Sequence, residues 1–112
     1  MALKPEILLV DRLKVTQSQI IQFCQRWHIT EFALFGSILR DDFQPDTSDV
    51  DVLVVFSSEA RKGLSEWITM QDELAALFGH QVDLVNKAAI QENHNLIRRR
   101  NILETAQVIY GS

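Results

Sequence analysis

A chain of 112 residues has room for one domain and little for a second, and 46% apolar with 23% charged residues is the make-up of a folded globular protein, not a disordered or fibrous one. The formal net charge of −4 argues against general nucleic-acid binding, which needs an excess of Lys and Arg to displace counterions. A single cysteine, Cys24, excludes an internal disulfide framework, and no apolar run nears the ~18 residues of a membrane span.

A chain this long buries roughly two thirds of its surface and needs no covalent staple to fold. Residues Met1 to Val10 lack the apolar core and cleavage site of a secretory leader, so a cytoplasmic protein is expected. Met1 to Val15 is a lead-in without a clear assignment. Thr16 to His28 reads as a helix: Thr16 and Gln19 fit a capping box, and Ile20, Cys24 and Trp27 recur on one face. Glu31 to Phe35 is a short apolar strand ending at Gly36. Ser37 to Asp42 reads as a short helix, and Phe43 to Ser48 as a loop holding Pro45, Asp46, Thr47 and Ser48.

Asp49 to Phe56 is the clearest strand, an Asp-Val-Asp-Val-Leu-Val-Val-Phe run rich in β-branched residues. Leu64 to Phe78 reads as a helix with Trp67, Leu74, Leu77 and Phe78 on its core side, and Gly79 stops it. Gln81 to Val85 is a second short apolar strand with Asp83 inside it. Asn101 to Tyr110 reads as a last helix, capped by Asn101 and carrying Ile102, Ala106 and Ile109 on one side. This order predicts a single α/β (α+β) domain over residues 1–112, with helices packed on a small mixed sheet.

Three features carry chemistry. Gly36-Ser37 follows a strand and opens a helix; a glycine there lets backbone approach a ligand, and the first helical N–H groups suit a phosphate. Asp49 and Asp51 are two apart in a strand, so they face the same side, roughly 6.5–7 Å apart along the chain. Asp83 lies in an apolar strand, where a buried carboxylate is costly unless something compensates it. Three carboxylates gathered in one cleft repel one another, and a cation offsets that repulsion. Hard oxygen ligands with few other donors suit Mg²⁺ bound jointly with substrate phosphates, and two ions could share such a site.

Each residue also has a plain reading. Gly36 could be a turn glycine, Ser37 a helix N-cap, Asp49 a loop end, and Asp83 a residue exposed on an edge strand. Arg40, one turn into the short helix, could contact phosphates, as could Lys87; solvent-exposed basic residues are the simpler account of both. Arg98 to Arg100 reads as a solvated or partner-facing surface. His28, His80 and His94 are scattered and make no zinc spacing. Cys24, Trp27 and Trp67 read as core.

The runs Leu34-Phe35-Gly36-Ser37, Ser48-Asp49-Val50-Asp51-Val52-Leu53-Val54 and Val82-Asp83-Leu84-Val85 resemble the minimal nucleotidyltransferase branch of the polymerase-β-like superfamily. The resemblance runs from about Phe32 onward. One departure is the gap between Gly-Ser and Asp-x-Asp. The family has about ten residues there; here eleven intervene, Ile38 to Ser48, the extra one falling in a loop where insertion is tolerated.

The resemblance implies a polymerase-β-like nucleotidyltransferase core. Asp49 and Asp51 would be its principal metal ligands. Asp83 would complete the site and help deprotonate the acceptor hydroxyl. Gly36 and Ser37, with Arg40 nearby, would hold the triphosphate. It further implies an antitoxin paired with a HEPN-domain ribonuclease toxin in a hetero-oligomer. The implied activity is Mg²⁺-dependent transfer of AMP from ATP onto a toxin tyrosine. Two other functions compete: an antitoxin that neutralises its partner by contact alone, and a transferase acting on a nucleic-acid or small-molecule hydroxyl. Three clustered carboxylates favour the enzyme over the binder, and the negative charge disfavours a nucleic-acid acceptor.

Overall fold

Among the described residues the first helix, α1 (Gln17–Trp27), is fixed at both ends by local chemistry. At its start Thr16 and Gln19 form the expected capping box, each side chain satisfying the other's backbone N–H. At its end His28 takes a left-handed conformation and donates its N–H to the Cys24 carbonyl. The computed structural model describes residues 13–39, 49–60, 63–92 and 95–111. Most of the lead-in, the Phe43 to Ser48 loop, Arg40 and the Ser37 side chain lie outside the described residues.

From α1 the chain runs into β1 (Ile29–Phe35), a single 3₁₀ turn (Gly36–Leu39), β2 (Val50–Phe56), α2 (Leu64–Phe78), β3 (Val82–Asn86), the short α3 (Lys87–Gln91), α4 (Leu96–Thr105) and β4 (Gln107–Gly111). The strands form one mixed sheet in the order β3-β2-β1-β4. β1 pairs antiparallel with both β2 and β4, and β2 pairs parallel with β3. The parallel pair needs a crossover, and α2 supplies it.

The pleat sorts side chains onto two faces. Phe32 and Leu34 of β1, Val50, Val52 and Val54 of β2, and Val82 and Leu84 of β3 meet α1 and α2 in the larger core. There Ile20, Met70 and Leu74 are fully buried, each such side chain contributing about 1.5–3 kcal/mol. Ala33, Phe35 and Leu53 point the other way, against Ile90 of α3 and Ile102 of α4. The sheet therefore has helices on both faces, and α3 and α4 cover the side that also carries Asp51 and Asp83.

Glu73 ties α1 to α2 by accepting from the Trp27 indole N–H at 2.6 Å and pairing with Arg26. Gly79 stops α2 as expected, in a left-handed conformation with its N–H on the Ala75 carbonyl. Cys24 is core: it is buried under α1, and burial pushes its thiol up to about 12. A buried thiol with so little thiolate should resist alkylating and disulfide reagents near neutral pH. Titration with a chromogenic disulfide should show slow reaction in the native protein and prompt reaction of one thiol in denaturant; prompt native reaction would contradict the burial.

The structure corrects the C-terminal expectation. The helix that starts at Leu96 ends at Thr105, and Asn95, not Asn101, caps it by accepting from the Arg98 N–H. Gln107 to Gly111 is a strand on β1, not the continuation of a helix. The Ile102, Ala106, Ile109 spacing fits a helix, but Ile109 instead enters the larger core from the sheet edge while Ile102 packs on the opposite face. The short helix α3, which the sequence reading left unassigned, begins at Lys87 with Asn86 as its cap. Among the described residues no helix is long and apolar enough to cross a membrane.

Candidate active site

β1 ends at Phe35, and the chain turns at once through Gly36, whose φ of +77° is a left-handed conformation that suits glycine. The turn is tight against β2. A Cβ built on Gly36 would overlap the Asp51 carboxylate, with Cγ only 3.1 Å away. Gly36 is thus not a bare turn residue: its missing side chain is the space that the Asp51 carboxylate fills.

Register then joins the three strands. Phe35 of β1 is opposite Asp51 of β2, and Asp51 is opposite Asp83 of β3. Opposed residues on paired strands share a face, so Asp51 and Asp83 point to the same side, with Cα atoms roughly 5 Å apart. Both line a cleft of about 520 Å³ together with Gly36 and Phe35. Its far wall is α4 and the cap before it: Asn95, Ile97, Arg98, Asn101 and Ile102.

Two expectations change here. Asp83 is exposed on an edge strand, so the cost of burying a carboxylate does not apply to it. Asp49 precedes the first paired residue of β2, is exposed, and borders a neighbouring cleft with Gln71, Asp72 and Asp83. Asp49 lies one residue before the β2 ladder begins. Asp83 is the residue common to both clefts. Among the described residues no three His, Cys, Asp or Glu side chains converge closely enough to hold a metal ion. Asp51 and Asp83 are brought together; Asp49 stands beside them.

Lys87 has another task. Its ammonium lies 3.0 Å from the Glu31 carboxylate and borders a separate pocket with Thr30 and Val55, which leaves it out of the cleft lining. The sequence reading missed the α4 wall because it started that helix at Asn101. The available signal was Asn95, an N-cap residue followed by two exposed apolar residues and three arginines.

Comparison with known proteins matches the chain to the nucleotidyltransferase domain family over residues 18–109. The chain belongs to that family. It is a nucleotidyltransferase by that membership, and its substrate class includes a nucleotide. A candidate protein adenylyltransferase of Methanocaldococcus jannaschii is 32% identical over 79 residues, 70% of this chain and 75% of that protein. The protein adenylyltransferase MntA of Thermococcus cleftensis is 39% identical over 67 residues, which span 60% of this chain and 65% of its own length. The fold is shared with a solved complex of a tri-AMPylated HEPN toxin of Shewanella oneidensis and its MNT antitoxin, at a TM-score of 0.56 and 18% identity, covering 86% of this chain and 70% of the matched one.

Proposed function

We propose that this chain acts as one catalytic domain over residues 1–112, in the cytoplasm, and transfers AMP from ATP to a tyrosine hydroxyl of a HEPN ribonuclease toxin. The transfer would silence that partner, with which it forms a hetero-oligomer, and needs no direct nucleic-acid contact. The observation that carries the reading is the register of Asp51 with Asp83 over the Gly36 turn, which sets two carboxylates on one side of a nucleotide-sized cleft. The relatives named for adenylyl transfer and the AMPylated toxin of the matched complex supply nucleotide and partner.

The donor set fits Mg²⁺, a hard cation that prefers carboxylate and phosphate oxygens. Asp51 and Asp83 would hold it jointly with the substrate phosphates, with Asp49 beside them just before β2, and two ions are the expected number. When bound, the metal supplies charge neutralisation on the triphosphate and on the leaving pyrophosphate. Gly36, Ser37 and Arg40 would cradle the phosphates. In the reaction the tyrosine oxygen forms a bond to the α-phosphorus. The bond from that phosphorus to the α–β bridging oxygen breaks, and pyrophosphate leaves with the electron pair. The tyrosine proton passes to Asp83 and then to solvent.

The test is intact mass spectrometry of the protein encoded beside this one, after incubation with this chain, ATP and Mg²⁺. The expected result is a gain of one or more AMP units, absent with EDTA and absent with an Asp49→Asn/Asp51→Asn variant. No gain on a partner that binds tightly would overturn the enzyme reading and leave contact alone as the means of neutralisation.

A further inference from the structure

Arg98 is a basic residue in a place that local electrostatics do not favour. It sits in the first turn of α4, where the helix dipole prefers an acidic side chain, and that turn holds no acidic residue. Its neighbours on the same helix have partners. Arg99 donates to the Gln91 carbonyl and Arg100 pairs with Glu104 four residues on. The Arg98 backbone is used by the Asn95 cap, but its guanidinium makes no hydrogen bond or ion pair among the described residues. It lines the cleft that Gly36, Asp51 and Asp83 line from the other side.

We infer that Arg98 binds the nucleotide triphosphate from the wall of the cleft opposite the carboxylates. A triphosphate entering past two aspartates needs positive charge on its remaining oxygens, and a guanidinium offers a planar fork of donors that matches phosphate. An exposed arginine without a partner costs the free protein nothing to redirect. Asn95 caps the helix that carries Arg98 and so sets where its backbone begins. A local placement that breaks a helix rule without a structural return is the pattern found at functional positions. The inference rests on the nucleotidyltransferase reading and adds the residue that reads the phosphates from α4.

Titration of the full chain with ATP and Mg²⁺, by calorimetry or NMR shifts, tests it. Arg98→Ala should weaken ATP binding roughly tenfold or more, the scale of one lost charge-assisted hydrogen bond, and Arg98→Lys should restore part of it. Arg100→Ala, on the same helix but paired with Glu104, should bind as the unaltered chain does. AMP, which lacks the outer phosphates, should lose far less from Arg98→Ala than ATP does. Because Arg98 is exposed, the melting temperature should stay the same. Equal ATP binding by Arg98→Ala, or equal weakening by Arg98→Ala and Arg100→Ala, overturns the inference and leaves the transferase reading standing. Absence of ATP binding by the unaltered chain overturns both.

Discussion

Asp51→Asn is expected to abolish nucleotide transfer while leaving the melting temperature unchanged or raising it by about a degree or two. The two halves of that expectation come from one geometry. Asp51 faces Asp83 across a parallel pair of strands, so in the metal-free protein two negative charges lie side by side. Asn keeps the shape of the side chain and one acceptor oxygen but removes one of those charges. Folding loses little and repulsion falls. On the proposed reading catalysis would lose a metal ligand, and a metal that stabilises transition-state charge by several kcal/mol is worth, at 1.36 kcal/mol per tenfold, about a thousandfold in rate. Thermal unfolding and the AMP-transfer assay on one preparation check both. A variant that melts far below the parent would mean that Asp51 is chiefly a structural residue, and the cleft would lose its functional reading.

How much of this was legible in the sequence depends on which force placed each residue. β2 was legible because its buried run is β-branched and its two aspartates sit two apart, so period and composition agreed. α1 was legible from a capping box that the structure reproduces atom for atom. β4 was not: Ile102, Ala106 and Ile109 have helical spacing, and the Val108-Ile109-Tyr110 run becomes a strand because β1 has a free edge to pair with. An open edge is a tertiary fact with no local signature. The site divides in the same way. Gly36, Asp51 and Asp83, which line one cleft, were singled out by residue type and spacing. The α4 wall was not found, because Arg98 reaches the cleft only through the packing of Ile102 against Phe35, Leu53 and Ala33 across the sheet. Asp49, expected inside the strand, lies one residue before the β2 ladder begins.

Gly36→Ala separates the cost of a turn from the cost of a displaced carboxylate. The substitution keeps φ near +77°, which a residue with a Cβ adopts only with strain, and roughly 1–2 kcal/mol of stability should be lost. The new methyl also meets the end of the Asp51 side chain rather than backbone, so it can be accommodated by rotating that carboxylate away. The fold survives; the position of the carboxylate does not. A misplacement of about 1 Å in a reacting constellation can cost a hundredfold in rate, so activity should fall by about that factor. Measured together, urea unfolding should show a modest drop in midpoint and the transfer assay a loss far larger than the small unfolded fraction explains. If activity declined only in proportion to the folded fraction, Gly36 would be a turn residue and nothing more. The absent Cβ would then have no bearing on where Asp51 stands.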